Sequence, residues 1–510
     1  MATTIQDNQM PYRSGVFPLN RPDRIGAVAA IHGVAVSDVG RCRVLELGCG
    51  DGVTLLSIAH SMPTSECIGV DLLSVRIAEA KRYAAEIGLT NVSFRARDVM
   101  DLDPNELGQF DFVIAHGLYS WVPEAVSERL LLIYRECLKP DGAGLISYNT
   151  FPGWHLRDLL RDAMRFADGA TMKPAARAEN AFEFVQQLVR SIASDKPHQS
   201  ILANELESAS RKELSVLLYD ELSDNNRPCL FQTFVERLER SGLKYVAEIE
   251  PRLPYGLTPE AQAMLDDAEG DPIRREQLLD FLLCTRFRSS IVCRAENRIS
   301  LDPLPDALEN LYLTTNTAPP PHALLSDDSE VPFSRPDNST FTTNHAMTKS
   351  MLGLLSRRRP ARVAFAEIRS HLASKFPDLG NAKFENELGR TKQFAIKLMR
   401  SAILDVGCFR PPIAATISSR PTASEFARWQ AAAGWEYVTN MYGASFEIEN
   451  DMLRALIVVL DGSKGADEIP ASILELVQVS EQDQKMLTAM LPGLVDLGLE
   501  QLRQMALLVD

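Results

Sequence analysis

The sequence predicts an α/β fold, with a mainly parallel sheet in the first part of the chain and mostly helical domains after it. Over the first 150 residues, apolar strand-like segments alternate with helical patterns. The first strand runs directly into a glycine-rich turn and a helix, and from Met347 onward helical periodicity dominates. Alternation of this kind is typical of parallel sheets that helices cover on both faces.

Composition limits the partners of this chain. Its 510 residues carry a formal net charge of -15, with a pI of about 5.2. The length predicts several domains, and an acidic surface repels phosphate backbones, so we expect no nucleic-acid partner. We see no signal-peptide pattern and no apolar run of the ~18 residues that a membrane span needs, so we expect a cytoplasmic protein. The eight cysteines show no metal-binding spacing, and we expect reduced core thiols and no metal site.

The glycine-rich turn lies in the stretch Val44–Gly52, Val-Leu-Glu-Leu-Gly-Cys-Gly-Asp-Gly. Its three glycines, Gly48, Gly50 and Gly52, allow unusual dihedral angles and close approach of a ligand to the backbone. With a helix predicted over residues 53–62, this segment forms the opening unit of a Rossmann-like sheet. A dinucleotide fingerprint, G-x-G-x-x-G, would place its third glycine at Val53, so the spacing disfavours an NAD site.

Acidic residues follow the next two predicted strands. The strand Cys67–Asp71 ends in a carboxylate roughly 20 residues past the turn, where it can accept hydrogen bonds from both ribose hydroxyls of a nucleoside. Several nucleoside cofactors are held in this way, so Asp71 indicates a nucleoside without choosing one. After the third strand, at 92–96, Asp98 can accept from an adenine amine; a solvated turn acid is the alternative.

The fourth predicted strand, at 110–115, is a nearly continuous apolar run. It leads into the loop His116-Gly117-Leu118-Tyr119-Ser120-Trp121-Val122-Pro123. Ligands bind outside the carboxyl ends of the strands in such sheets, so this loop should lie beside the glycine turn. A helix over 123–138 and a fifth strand over 145–149 follow. Near the N-terminus, Tyr12 and Phe17 are expected either to pack the first helix on the sheet or to form a lid.

We divide the chain into six regions. Residues 1–155 form the nucleoside-binding core, residues 156–225 a helical insertion that serves dimerisation or substrate binding, and residues 226–295 the closing strands of the sheet. Residues 296–345 are rich in Pro, Thr, Ser and Asp and are predicted to be a linker. Residues 346–415 form a helical middle domain, and residues 416–510 a C-terminal domain in which helices flank a hairpin over 435–448, as in a winged helix.

The pattern E-x-G-x-G-x-G, from Glu46 to Gly52, resembles motif I of class I S-adenosyl-L-methionine (SAM) methyltransferases. Three further stretches narrow this resemblance: His116-Gly117-x-Tyr119-Ser120-Trp121-Val122-Pro123, Tyr148-Asn149-Thr150-x-Pro152-Gly153-Trp154-His155 and Asn226-Arg227-Pro228. Together they resemble bacterial methyltransferases with a methyltransferase regulatory domain, a group that includes rickettsial protein-lysine methyltransferases acting on an outer-membrane protein. The resemblance implies a seven-stranded sheet whose last strand is antiparallel, and it makes residues 1–155 the SAM-binding core. One departure is Asn20-Arg21-Pro22-Asp23, where the family tends to have Thr-His-Pro-Asp.

The resemblance also implies roles for individual residues. Those at the methionine and ribose end of SAM would be Glu46, Gly48, Cys49 and Gly50. Asp71 would hold the ribose hydroxyls, with Leu72 against the adenine; Asp98 and Val99 would read the adenine edge; and His116 would supply backbone contacts beside the sulfonium.

Methyl transfer requires mainly positioning and exclusion of water. Because aromatic faces favour a cation, we predict that Tyr119 and Trp121 are acceptor-side catalytic residues; the alternative is that they anchor the inserted helices. His116 and His155 are both candidates for a base, and we assign neither. The predicted activity is methylation of protein lysine. Methylation of a small molecule and SAM-dependent regulation without turnover are the alternatives, and a homodimer is one option for assembly.

Overall fold

The computed structural model describes residues 15–36, 38–168, 173–250, 256–268, 270–477 and 481–510. A seven-stranded sheet has the order β3-β2-β1-β4-β5-β7-β6. Its strands are β1 Arg43–Leu47, β2 Glu66–Asp71, β3 Val92–Ala96, β4 Phe110–Ala115, β5 Leu138–Asn149, β6 Leu243–Glu248 and β7 Phe287–Arg294. β1 to β5 pair in parallel, and β7 is antiparallel to β5 and β6. The predicted sheet is confirmed.

The helices of this part of the chain include those that cover both faces of the sheet and those of an insertion. They are α1 Pro22–Ile31, α2 Val53–Ser61, α3 Ser74–Ile87, α4 Pro104–Leu107, α5 Glu124–Cys137, α6 Gly153–Phe166, α7 Pro174–Ser191, α8 Pro197–Ser210, α9 Leu214–Val216, α10 Phe231–Arg240, α11 Pro259–Asp267 and α12 Pro272–Leu283. Val44 packs on one face with Ile25 and Leu55, whereas the next residue, Leu45, packs on the other face with Leu130. Burial on both faces explains why the strands read as continuous apolar runs.

The fifth strand is longer than predicted. It begins at Leu138 rather than at residue 145, because Ala143 to Ile146 pair with β4 and Leu138 pairs with Phe110 across a register shift. The Lys139 Nζ also donates to the Asp111 carboxylate at 2.8 Å. The turn signal in Lys139–Gly142 therefore marks an irregularity within the strand.

The helices α6 to α9 form an insertion with a small core of its own, which includes Leu160, Val185 and Leu202. Inside it, the Arg157 guanidinium donates to the carboxylates of Glu205 and Glu221, and all three side chains are buried. Because this insertion follows the carboxyl end of β5, it stands at the edge of the sheet where ligands bind.

The predicted linker at residues 296–345 is wrong. The structure has a strand here, β8 Tyr312–Thr315, which is the central strand of a three-stranded sheet with β11 Val363–Ala364 and β12 Leu404–Gly407 of the middle domain. It also has an antiparallel pair of strands, β9 Val331–Ser334 and β10 Thr340–Thr343. Leu313, Val331 and Phe333 are buried in one apolar cluster with the middle-domain helices. A strand of four residues has only two inward side chains, so its alternating pattern is too short to recognise among the surrounding Pro, Ser and Thr residues.

The remaining elements form the middle and C-terminal domains. The middle domain has α13 Ala346–Arg358, β11 Val363–Ala364, α14 Phe365–Lys375, α15 Asn381–Arg400 and β12 Leu404–Gly407. The C-terminal domain has β13 Thr422–Ala423, α16 Glu425–Ala432, β14 Tyr437–Thr439, β15 Ser445–Glu447, α17 Asp451–Val459, α18 Ile469–Leu476, α19 Glu481–Gln504 and β16 Leu508–Val509. β14 and β15 form the predicted hairpin. In the described ranges, no helix has the length and apolar character to cross a bilayer.

The C-terminal domain docks on the core through aromatic side chains. The Trp429 Nε1 donates to the Glu86 carboxylate of α3 at 2.9 Å, and the Trp429 ring lies edge-on to Tyr83, with centroids 5.1 Å apart. At the hairpin turn, Gly443 lies so close to the core that an added Cβ would be 3.4 Å from the Pro18 Cα. This domain therefore supports the segment that leads into α1.

A buried carboxylate joins the three parts of the chain. Asp23, at the start of α1, forms ion pairs with Arg21 and with Arg362 of the middle domain. Burial raises the pKa of Asp23, but the charges of Arg21 and Arg362 outweigh this effect and hold the pKa below its usual value. The Arg362 guanidinium also lies 4.7 Å from the ring centroid of Tyr442, in the C-terminal hairpin turn.

Arg362→Met should lower the free energy of unfolding by about 3 kcal/mol, because it removes one partner of a buried carboxylate. Chemical denaturation monitored by circular dichroism measures this loss. A matched control is Arg410→Met, which removes an exposed ion pair with Glu367 and should change stability by less than about 0.5 kcal/mol. Equal effects of the two substitutions would contradict the role of Asp23.

Candidate active site

The glycine turn between β1 and α2 is fixed to the neighbouring strand by its backbone. The N–H groups of Gly48 and Cys49 both donate to the Val70 carbonyl, at 2.8 and 3.2 Å. Gly48, Gly50 and Gly52 have φ angles of 74°, 55° and 73°. A Cβ at Gly52 would lie 2.5 Å from the Phe94 ring, so this position has neither the conformation nor the space for a side chain.

Asp71 ends β2 beside this turn, as the sequence predicts. Its Oδ2 accepts from the Gly50 N–H and its Oδ1 from the Leu73 N–H, both at 2.9 Å. Burial raises the pKa of Asp71 despite these hydrogen bonds. Each carboxylate oxygen can accept more than one hydrogen bond, so the site keeps acceptor capacity for hydroxyl groups. The neighbouring Leu72 side chain is 63% exposed and can cover a flat ring.

Glu46 is the second acid of the site. It is buried in β1, and its Oε2 has no hydrogen-bond partner among the residues that the structure describes. Burial first, and then the charges of Asp51 and Asp71, raise the pKa of Glu46 to about 8. Without a ligand, this side chain is therefore a neutral acid at pH 7. A cationic group placed beside it would provide the missing partner, which fits the ammonium of the methionine end of SAM.

Asp98 and Val99 lie after β3, on the far side of Asp71. The Asp98 Oδ1 accepts from the Met100 N–H at 2.9 Å and caps the short 3-10 helix Val99–Asp101. Val99 is half-buried against the core, and the Met100 side chain is exposed. The capping contact uses one carboxylate oxygen of Asp98, and the other oxygen can accept a hydrogen bond from a polar group of a ligand.

His116 follows β4 and faces the N-terminal segment. Its ring centroid lies 4.2 Å from that of Phe17 and 5.8 Å from that of Phe287. The Phe17 N–H donates to Thr54 Oγ1, at 3.4 Å, in the first turn of α2. Burial lowers the pKa of His116 to about 4, so the imidazole is neutral at pH 7. Phe17 thus spans the glycine turn and the end of β4, in agreement with a covering role; Tyr12 lies outside the described residues.

The prediction that Tyr119 faces an acceptor is wrong. Its side chain is 3% exposed and packs edge-on against Phe234, with ring centroids 5.5 Å apart. It also lies near Tyr148, and its hydroxyl is hydrogen-bonded to Arg237 of α10. The turn Leu118–Trp121 directs this ring into the core, where it packs α10 on the sheet.

Trp121 lies at the junction of the loop with the insertion. Its half-buried ring is edge-on to Trp154 of α6 at 5.9 Å, and the Arg161 guanidinium lies 5.8 Å from its centroid. This packing agrees with the anchoring role that was the alternative, and the exposed part of the ring keeps Trp121 a predicted acceptor contact.

Polar residues beside β5, whose roles sequence reasoning did not identify, organise the loop that carries His116. The Gly117 N–H donates to Ser147 Oγ at 2.7 Å, and the Asn149 N–H donates to Ser120 Oγ at 2.9 Å. The Asn149 amide also donates to Asn226 Oδ1 at 2.8 Å, which brings the start of the closing region to the same edge. For Ser147 and Asn149, the signal in the sequence is a polar side chain in the last residues of a buried strand.

Two adjoining cavities lie between the sheet and the middle domain, near the carboxyl ends of the parallel strands. The Phe287 cavity, of about 380 Å³, is lined by Arg24, Glu248, Glu250, Phe287, Ser289, Met399, Ala402, Leu404 and Asp405. The His32 cavity, of about 370 Å³, shares Arg24, Glu248, Met399 and Leu404 with it and has an apolar wall that includes Val28, Val246 and Leu279. Because Phe287 also contacts His116, the first cavity adjoins the glycine-turn site.

Comparisons with known proteins agree with this organisation. Residues 44–142 match the family described as "Methyltransferase domain", residues 213–294 the "Predicted methyltransferase regulatory domain", and residues 419–507 the "PKMT, C-terminal winged helix domain". The protein RP789 of Rickettsia prowazekii is 26% identical over 392 residues, which are 75% of this chain and 70% of RP789. RP028 of the same organism is 28% identical over 47% of this chain and 96% of its own length.

A solved structure matches almost the whole chain. PKMT2 from Rickettsia typhi superposes with a TM-score of 0.83 at 26% identity, over 98% of this chain and 100% of PKMT2. Its complex with AdoHcy, the product that SAM leaves after methyl transfer, superposes with a TM-score of 0.84. The predicted winged helix is confirmed by the family match. The chain is therefore a SAM-dependent methyltransferase in which a class I methyltransferase domain is followed by a methyltransferase regulatory domain and a PKMT-type winged helix.

Proposed function

We propose that this methyltransferase transfers the methyl group of SAM to lysine side chains of a protein. The observation that carries the proposal is the match to PKMT2, which extends over 98% of the chain and so includes every domain beyond the catalytic sheet. A catalytic sheet alone would accept many substrates, but domains retained in the same arrangement indicate a shared type of acceptor. Rickettsial protein-lysine methyltransferases are also the group that the sequence resembles.

We propose that SAM lies across the carboxyl ends of β1 to β4. Asp71 would accept from the ribose hydroxyls, because both of its oxygens keep acceptor capacity beside the fixed glycine turn. Glu46 would face the ammonium of the methionine end, which its unpaired Oε2 favours. The other residues that would line the cofactor are Gly48, Cys49, Gly50, Leu72, Asp98, Val99 and the backbone of His116.

SAM supplies a methyl group on a sulfonium, and the chain must place an amine in line with it and exclude water. Phe17, His116 and Phe287 form a row of rings beside the glycine turn. Aromatic faces attract cations by about 0.5–2 kcal/mol, which suits both a sulfonium and a lysine ammonium. Because burial lowers the pKa of His116 to about 4, we infer that its imidazole forms a wall of the site rather than the base.

The Phe287 cavity is our proposed route for the acceptor. Three carboxylates, those of Glu248, Glu250 and Asp405, and one guanidinium, that of Arg24, line it. Glu248 is paired with Arg288, and Asp405 is paired with Arg24 and Arg362. The cavity therefore offers a polar lining to an entering side chain. The adjoining His32 cavity extends the route by about 370 Å³, which supports an acceptor larger than a single side chain.

Asp71→Ala should weaken AdoHcy binding more than tenfold, because it removes charged acceptors for the ribose hydroxyls. Isothermal titration calorimetry measures this dissociation constant. The control is Asp101→Ala, an exposed acid in the 3-10 helix after β3, which should leave binding unchanged. Undiminished binding by Asp71→Ala would reject the ribose assignment.

AdoHcy binding should release about one proton per chain at pH 7. The pKa of Glu46 in the free protein is about 8, so its carboxyl is mostly protonated at pH 7 and must ionise to pair with an ammonium. This pKa lies above that of an exposed glutamate. Glu46 therefore adds to the free energy of unfolding at low pH, and this contribution is lost as the pH rises from about 4.5 through about 8. Calorimetry in buffers of different ionisation enthalpy counts the protons, and Glu46→Gln should abolish the release. Proton release that persists in this variant would assign it to another group.

Incubation with methyl-labelled SAM and cell extract should place label on lysine side chains of protein, as read by mass spectrometry. Label in small molecules alone would favour the alternative acceptor class, and no label would favour regulation without turnover.

With the labelled protein as substrate, Met399→Trp should raise the KM at least fivefold, because Met399 lines both cavities. The exposed Met264→Trp is the matched control and should leave the KM unchanged. An unchanged KM in Met399→Trp would reject the proposed route.

A further inference from the structure

The turn before α1 holds a buried amide that the cofactor roles assigned above do not include. Asn20 is 0% exposed, and neither its Nδ2 nor its Oδ1 has a hydrogen-bond partner within the described ranges. Buried amides in folded proteins are almost always paired, since an unpaired one loses its hydrogen bonds to water without replacement. An amide with both polar atoms unpaired within these ranges is therefore a candidate for binding a ligand.

The turn that carries Asn20 lies beside the proposed cofactor site. The backbone N–H of Asn20 donates to the Phe17 carbonyl at 3.0 Å, and Phe17 directly precedes the tight turn Pro18–Asn20. Phe17 in turn contacts His116, after β4, and Thr54, directly after the glycine turn. The turn that carries Asn20 thus lies across the two loops that flank the methionine end of SAM.

The neighbouring cation, Arg21, is held by other groups of the protein. Arg21 is also buried, but its Nε donates to Asp23 and its Nη1 to Ser61, both at 2.8 Å. These contacts hold its guanidinium in the ion-pair network of α1, and only its Nη2 has no hydrogen-bond partner within the described ranges. Behind the turn, an added Cβ at Gly443 would lie 3.4 Å from the Pro18 Cα, so the C-terminal hairpin packs closely against that side.

Other buried polar atoms of this region that lack a hydrogen-bond partner within the described ranges include Arg21 Nη2, His116 Nδ1 and Glu46 Oε2. The carboxyl group of Glu46 is the one acid in this set. A carboxyl group suits an ammonium, and an amide N–H suits a carboxylate. The methionine end of SAM carries one ammonium and one carboxylate. We propose that Asn20 is a cofactor-binding residue whose side-chain amide donates to the carboxylate of SAM, while Glu46 binds the ammonium.

Two ligands isolate this contact: AdoHcy, which carries the amino-acid end, and 5′-methylthioadenosine, which has the same nucleoside and sulfur without it. Asn20→Leu should weaken AdoHcy binding about tenfold or more, as expected for the loss of a hydrogen bond to a charged group, and change 5′-methylthioadenosine binding less than twofold. Thermal unfolding of the ligand-free protein should occur at the same or a higher temperature, because the amide removed has no partner there. Asn20→Ser, which keeps a small polar group, should give an intermediate loss of AdoHcy affinity.

The matched control is Asn91→Leu. The Asn91 amide is satisfied within the protein, where it donates to the carbonyls of Ala59, Met62 and Ser65 at 3.0, 3.2 and 3.2 Å. This variant should unfold at a lower temperature and keep the wild-type ratio of the two affinities. The proposal is overturned if Asn20→Leu and Asn20→Ser weaken both ligands equally, or leave AdoHcy binding unchanged. Because both readouts concern cofactor binding alone, the result is independent of the acceptor.

Discussion

The hydrogen bond from the Gly50 N–H to the Asp71 carboxylate is the contact on which the proposed active site depends. It links the glycine turn after β1 to the end of β2, at 2.9 Å, and the Gly48 and Cys49 N–H groups reinforce it through the Val70 carbonyl. Left-handed glycine conformations make this geometry accessible, and the Phe94 ring leaves no space for a larger residue at Gly52. The position of the acid relative to the turn is therefore fixed before any ligand binds, which lowers the entropic cost of binding.

The domains after the sheet contribute to the same site indirectly. Asp23 at the start of α1 pairs with Arg362 of the middle domain, and Arg362 contacts Tyr442 in the hairpin of the winged helix. The segment just before Asp23 carries Phe17, which contacts His116. The winged helix thus supports the N-terminal turn across the proposed cofactor site, and we infer that this support is a physical reason for the three-domain arrangement.

Sequence reasoning succeeded where the chemistry is local. The glycine spacing and the strand-end positions of Asp71 and Asp98 follow from strand and turn periods, and the structure has them at one edge of the sheet. It failed for Tyr119, because the direction of a loop side chain depends on the packing of α10, about a hundred residues later. It could not detect the unpaired atoms of Asn20 and Glu46, since burial and missing partners are properties of the assembled fold alone.

The central claim, that the glycine turn and the two acids beside it form the SAM cradle, is tested most directly by a crystal structure of this chain with AdoHcy. The account predicts the ribose hydroxyls within about 3 Å of the Asp71 carboxylate oxygens and the ammonium at a similar distance from Glu46. AdoHcy bound elsewhere, or bound with its ribose away from Asp71, would contradict it.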